Sequence, residues 1–281
     1  MSVAVVTDSS AHLPADMFAD GEVTVVPLYV QVGSRSGVEG VDVSPADVAR
    51  ALRERRIAVS TSRPSPSDFV AAYRRALDAG ATGVLSVHLS RQLSGTYESA
   101  MLAAREFPRG LVRVVDSRST AMGLGFAVHA AVEEIHSGGG LDAARIAAEA
   151  SATRTSTLFY VDTLEHLRRG GRIGAAAALI GTALAVKPIL EMVDGVVVVK
   201  DKVRTASRAI ALLESLAVGA AGVGPVDMAV HHLDAADRAE ELRSHLAPVV
   251  AGRGRLLVSE LGAAVGAHVG PGVLGVVIRC G

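Results

Sequence analysis

Three short segments carry the side chains best suited to gripping an anion. They are Thr61-Ser62-Arg63-Pro64-Ser65-Pro66, Leu93-Ser94-Gly95-Thr96-Tyr97 and Gly266-Ala267-His268-Val269-Gly270-Pro271-Gly272. Each offers small donors, either hydroxyls or backbone N–H groups, where a strand should give way to a helix or loop. None has a strong base, a nucleophile motif or a metal cluster beside it. That chemistry holds a small acidic ligand better than it breaks a bond.

Ser94 falls between an apolar run and a helix that opens at Gly95. The Gly95 and Thr96 amides at that helix start would be unpaired and would favour an anion. Serine is equally a favoured cap, so Ser94 either meets a ligand or caps its own helix. Thr61 and Ser62 precede Pro64, which keeps the chain extended, and they are either ligand donors or polar loop residues. His268 is expected in a glycine-flanked loop where its ring can turn to a ligand. Protonated beside a carboxylate, it would add a charge-assisted hydrogen bond worth roughly 1.5–3 kcal/mol. Thr7, Asp8 and Ser9 end the first strand, and such ends line the crevice of a parallel sheet. Asp8 itself reads as a structural cap rather than a base.

Other signals fail. Gly270-Pro271-Gly272-Val273-Leu274-Gly275 fits the dinucleotide pattern, but Val276-Val277-Ile278 reads as a strand where that pattern needs a helix. There is no phosphate loop and no Gly-x-Ser-x-Gly elbow. The histidines, His231-His232 included, lack a metal-ligand spacing with acids or cysteine. Two basic runs, Leu167–Ile173 and Lys200–Thr205, are either solvated surface or a docking face.

The elements that position these groups follow from periodicity. Strands are expected at Val3–Val6, Val23–Val30, Val84–Leu89 and Val112–Val115. Helices are expected from Ser44 to about Arg56, from Ser65 to Gly80 and over Gly95–Phe107. This alternation predicts right-handed crossovers and a parallel sheet. Two helices follow, Leu124–His136 and Leu141–Arg154. The second half reads as a strand at Leu158–Val161, a small-residue helix at Ala175–Val186 and a hairpin of Ile189–Met192 with Val196–Lys200. Helices at Thr205–Ala217 and Ala235–Leu246 then alternate with strands at Val226–His231 and Leu256–Glu260. The expected division is an N-terminal α/β domain over 1–154 and a C-terminal α/β domain over 155–281.

The 281 residues suit one large or two moderate domains. Hydrophobic residues make up 49% but aromatics only 3%, so Ala, Val, Leu and Ile must build the core. Such side chains can line a long apolar cavity, and genomic bias yields the same composition. With 28 basic and 29 acidic residues, no global field favours nucleic acid. The single cysteine, Cys280, excludes an internal disulfide and fits a reducing compartment. Met1–Asp8 reaches an acid too early for a secretory signal, and no apolar run approaches the ~18 residues of a membrane span. A cytoplasmic location is expected.

Taken together and in order, these motifs resemble the DegV family, bacterial fatty-acid-binding proteins that act as carrier subunits of fatty acid kinase. The likeness runs from Thr7-Asp8-Ser9-Ser10 through the Thr61 and Ser94 segments to Asp116-Ser117-Arg118-Ser119. It continues through Gly170-Gly171-Arg172-Ile173, Lys187-Pro188-Ile189-Leu190 and Arg204-Thr205 to His268–Gly272. The resemblance implies two α/β domains, the first with a mainly parallel sheet, and a long-chain fatty acid such as palmitate or oleate held between them. The carboxylate would meet Thr61 or Ser62, Ser94 with the Gly95 amide, and His268. Neighbours in an extended chain face opposite ways, and Ser62 is the preferred contact. Family members commonly carry Gln where this chain has Arg63. Arg204 resembles a position tied to kinase docking, with Arg172 a second candidate. A separate kinase would use ATP to phosphorylate the held carboxylate, and the acyl-phosphate would feed phospholipid synthesis. This chain would contribute no catalytic residue, metal or cofactor.

Burying about fourteen methylenes at roughly 0.8 kcal/mol each supplies about 11 kcal/mol gross, before ordering costs. The head group must then find several donors, since an unpaired buried carboxylate is prohibitive. Two rival readings stay open: a serine-dependent acyl hydrolase using Ser94 and His268, and a sensor of a small acidic metabolite.

Overall fold

Valine- and leucine-rich runs form strands, and alanine-rich stretches at helical spacing form helices, throughout this computed structural model. It describes residues 2–14, 17–54, 57–174, 176 and 186–281. In chain order come β1 (Val3–Asp8), β2 (Val23–Val26), β3 (Tyr29–Val32), β4 (Arg35–Val38), α1 (Pro45–Glu54) and β5 (Val59–Ser62). Next are α2 (Pro66–Asp78), β6 (Gly83–His88), α3 (Thr96–Ala104), β7 (Val112–Asp116), α4 (Met122–His136) and α5 (Leu141–Thr153). The second half holds β8 (Thr155–Tyr160), α6 (Glu165–Gly170), β9 (Lys187–Val193), β10 (Val196–Val203) and α7 (Ala206–Ala220). It continues with β11 (Val226–His232), α8 (Ala236–Val250), β12 (Leu256–Glu260), α9 (Ala263–Val269) and β13 (Leu274–Cys280). The helix expected over Ala175–Val186 lies outside the described residues, save Ala176 and Val186.

The chain divides into two compact units. The first comprises Met1–Tyr29 and Ser62–Thr153. Its sheet has the order β2-β1-β6-β7 and is parallel throughout. Helices cover both faces, so β6 is buried along its whole length. On one face Val5, Leu85 and Val115 pack with Leu124, Ala127 and Val128 of α4 and Ala144 of α5. On the other, Val6 and Val84 meet Phe69 and Tyr73 of α2 and Ala100 of α3. The start of α2 is written in its sequence. Ser65 accepts from the Asp68 amide, Asp68 answers with a bond to the Ser65 amide, and Pro66 opens the first turn.

The second unit comprises Val30–Thr61 and Arg154–Gly281. Its six-stranded sheet runs β10-β9-β8-β13-β11-β12, with only β11 and β12 parallel. Leu213 of α7 and Leu242 and Leu246 of α8 bury against Met228, Val230 and Ile278. A second sheet, β4-β3-β5, belongs to the early segment.

Residues 30–61, which the sequence placed in the N-terminal domain, thus cluster with the second unit. Long-range contacts explain the difference. Glu39 Oε1 accepts from the Ala264 amide at 2.7 Å, Arg53 pairs with Asp234, and α1 packs on α9. Pro27 supplies the break: lacking an N–H, it ends β2 at Val26, and the expected single strand over Val23–Val30 becomes β2 and β3. Four short elements, β4, β5, α6 and α9, were not anticipated.

Candidate functional site

In the first unit, hydroxyl-bearing loops leave the C-terminal ends of the parallel strands. Asp8 ties them down. Its buried carboxylate accepts from the Ser10 amide at 3.1 Å, Ser10 Oγ at 2.5 Å, His88 Nδ1 at 2.9 Å and the Leu89 amide at 3.1 Å. His88 Nε2 lies 2.6 Å from Ser86 Oγ, which in turn accepts from the Tyr73 hydroxyl at 2.8 Å. One proton arrangement satisfies the whole chain: Tyr73 donates to Ser86, Ser86 to His88, and His88 to Asp8. The order Asp8–His88–Ser86 mimics a hydrolytic triad, but all three are fully buried, so no substrate reaches the serine. The network is a fastening, as expected for Asp8. The same loops are stitched by the Ser90 amide to the Ser119 carbonyl and the Ala121 amide to the Ser10 carbonyl, each at 2.8 Å.

Ser94 sits on this framework, its amide donating to the Ser90 carbonyl at 3.1 Å. Its hydroxyl accepts from the Thr96 amide at 3.3 Å and bonds Thr96 Oγ1 at 2.9 Å. Ser94 therefore holds the start of α3, and the Thr96 amide is already used. Gly95 is the cap of α3 at φ −74°, a conformation any residue adopts. What its missing side chain leaves room for is the end of the exposed Arg63 side chain. A Cβ would overlap Nη1 of Arg63 and lie 2.8 Å from its Cζ. The Arg63 guanidinium thus lies on the Gly95 backbone, with no ion pair among the described residues.

In the second unit, Thr61 projects from β5 to His268. Thr61 Oγ1 and His268 Nε2 are 2.8 Å apart. Ser62, its neighbour on the strand, faces the opposite way and is exposed. It is Thr61, not the preferred Ser62, that meets this histidine. His268 is also not in a loop, as the glycines suggested, but in the last turn of α9. Glu39 holds the start of that helix, and Gly270 ends it at φ +79°, its amide donating to the Gly266 carbonyl at 2.8 Å. Burial, reinforced by the nearby Arg172 guanidinium, lowers the His268 imidazole from 6.5 to about 4. The ring is therefore neutral at neutral pH; the protonation expected beside a bound carboxylate is a separate state.

A cavity of about 270 Å³ opens beside this pair, lined by Leu52, Ile57, Val59, Arg169 and Arg172 together with Thr61 and His268. Arg172 folds back, Nη1 donating to the Gly170 carbonyl at 2.5 Å. Arg204 is exposed between β10 and α7 and has no ion pair among the described residues. The sequence singled out neither Glu39 nor His166, and it gave Gly170 no role beyond a place in a basic turn and in one of the motifs of the resemblance. Among the described residues no cluster suits a metal ion, and no helix is long and apolar enough to cross a membrane.

Donor-rich loops on a parallel sheet in one unit, and a Thr–His pair on a mixed sheet in the other, mark this as a two-unit α/β protein. Comparison with known proteins gives the family. The model described as "Uncharacterised protein, DegV family" matches residues 2–280. A DegV domain-containing protein of Streptomyces coelicolor is 54% identical over 276 residues, covering 98% of each chain. A solved DegV family protein from Thermus thermophilus, described as binding fatty acid, is 36% identical with a TM-score of 0.92, covering 100% of both chains. DegV of Bacillus subtilis, described as a fatty acid binding protein, is 30% identical with a TM-score of 0.90 at the same coverage. The chain belongs to the DegV family.

Proposed function

We propose that this protein binds a long-chain fatty acid and presents its carboxylate to a separate ATP-dependent kinase, yielding an acyl-phosphate for phospholipid synthesis. Thr61, Ser94, the Gly95 amide and His268 are the head-group donors in this reading, with Thr61 taking the place first given to Ser62. The observation that carries it is the Thr61–His268 hydrogen bond, built from residues 207 positions apart in a chain whose full-length relatives are described as fatty-acid binders. The kinase step rests on the family resemblance of Arg204 and on the exposure of that residue. The protein acts as a carrier in this reading: Ser94 binds the head group and does not attack it, and no side chain is assigned as a base.

Mass spectrometry of ligand extracted from the purified protein tests this directly, with saturable uptake of labelled palmitate or oleate as the second measurement. A fatty acid near one per chain is expected. Absence of both extracted lipid and saturable uptake refutes the reading. Ester hydrolysis by the isolated chain, abolished in Ser94→Ala, would establish the hydrolase instead.

A further inference from the structure

We propose that Gly170 is a positioning residue that fixes the tautomer of His268, placing the proton on Nε2 so that the Thr61 hydroxyl keeps its own hydrogen for a ligand. Gly170 and Gly171 end α6 for different reasons. Gly171 is the left-handed cap at φ +70°, a backbone role that glycine fills without strain. Gly170 is not in that region, so its backbone tolerates alanine. What does not tolerate it is His268: a Cβ on Gly170 would overlap the ring's Nδ1 and lie 2.9 Å from Cε1. The contact is reciprocated, since a Cβ on Gly270 would overlap Cδ2 of His166 and lie 2.8 Å from its Nε2. Helices α6 and α9 therefore interlock, each offering a glycine to a histidine of the other.

The tautomer follows from this packing. The Cα–H bond that takes the place of a Cβ on Gly170 points at Nδ1, and Nδ1 is buried with no hydrogen-bond partner among the described residues. A lone pair accepts a C–H hydrogen as a weak contact, whereas an N–H there would set hydrogen against hydrogen. A neutral imidazole has one proton, and it then resides on Nε2. The lowering of this ring to about 4 by burial is consistent with the neutral form. Nε2–H donates to Thr61 Oγ1 across 2.8 Å. Had Thr61 been the donor, its single hydrogen would be spent on His268 and none would remain for an anion.

Only the last link, delivery of that hydrogen to a carboxylate, rests on the proposed fatty-acid reading, and the test separates the two. Long-range 1H–15N correlation on the ligand-free full chain, with histidines labelled and His268 assigned through bonds, should show the Nε2–H tautomer at pH 7.5. An Nδ1–H tautomer, or an even mixture, overturns the proposal without any variant or lipid. Gly170→Ala should displace the ring, disturb that signature and weaken palmitate binding about tenfold, the loss of one donor to a charge. In a His268→Ala background the same Gly170→Ala change should weaken binding no further, because the added methyl then has room. An undisturbed signature in Gly170→Ala, or an equal loss in both backgrounds, overturns the positioning role. If the tautomer is as stated but wild type takes up no palmitate, the fatty-acid reading falls and the tautomer assignment stands.

Discussion

Acid should loosen the second unit through His268, and the amount can be worked out. The folded ring titrates at about 4 against 6.5 when exposed, because burial and then Arg172 disfavour its charged form. Between those values the unfolded chain binds a proton that the folded one refuses, so the contribution is fully present above 6.5 and is lost as the pH falls towards 4. From pH 7.5 to 5.5 the loss is about 1.3 kcal/mol, and it reaches about 3 kcal/mol at pH 4. His268→Gln removes the titrating group while leaving an amide able to bond Thr61. The stability gap between wild type and this variant should therefore shrink by about 1.3 kcal/mol between the two higher pH values. His12, also lowered to about 4 by burial against the opposing pull of Asp8, acts in the same direction. It is present in both proteins and cancels in the difference. Denaturant unfolding followed by circular dichroism at each pH provides the gap. An unchanged gap, or an imidazole seen by 15N titration to protonate near 6.5, refutes the reasoning.

Three further outcomes are expected. Thr61→Val keeps the β-branched shape but removes the hydroxyl, and should weaken palmitate binding about tenfold, while Ser62→Ala stays within about twofold, both read by titration of labelled lipid. Arg63→Gln removes the guanidinium lying on Gly95, so it should lower affinity for the acid and flatten the dependence of binding on salt, measured calorimetrically at two ionic strengths. Arg204→Ala should leave lipid uptake intact and impair acyl-phosphate formation with the kinase and ATP, and a loss of uptake instead would place this exposed residue in the binding site.

The first unit was largely legible because its signals are local. The four strands of its sheet announce themselves as valine-rich runs, and α2 carries both a capping box and a proline at its first turn. Alternation then leaves little choice but a parallel sheet. Residues 30–61 defeat that logic. Nothing near Glu39 shows that it will cap a helix 225 positions on, and nothing near Arg53 points to Asp234. The helices α6 and α9, at six and seven residues, are too short to show a period and contain or abut glycines that read as loop.

The site divides in the same way. Residue types point towards an anionic ligand, but hydroxyls in such turns serve equally as helix caps and polar loop residues. Pairing was beyond reach: local pattern allows either Thr61 or Ser62 to face His268, and the 2.8 Å contact is made by Thr61. The charge state of the ring was out of reach for a related reason, since it depends on a burial that the sequence does not show. The two glycines ending α6 show the limit most sharply. Adjacent and identical in sequence, one answers to its own backbone and the other to a ring 98 positions away. Substituting each in turn therefore separates them physically: alanine at Gly171 acts on the left-handed turn itself, and alanine at Gly170 acts only while His268 is there to be struck.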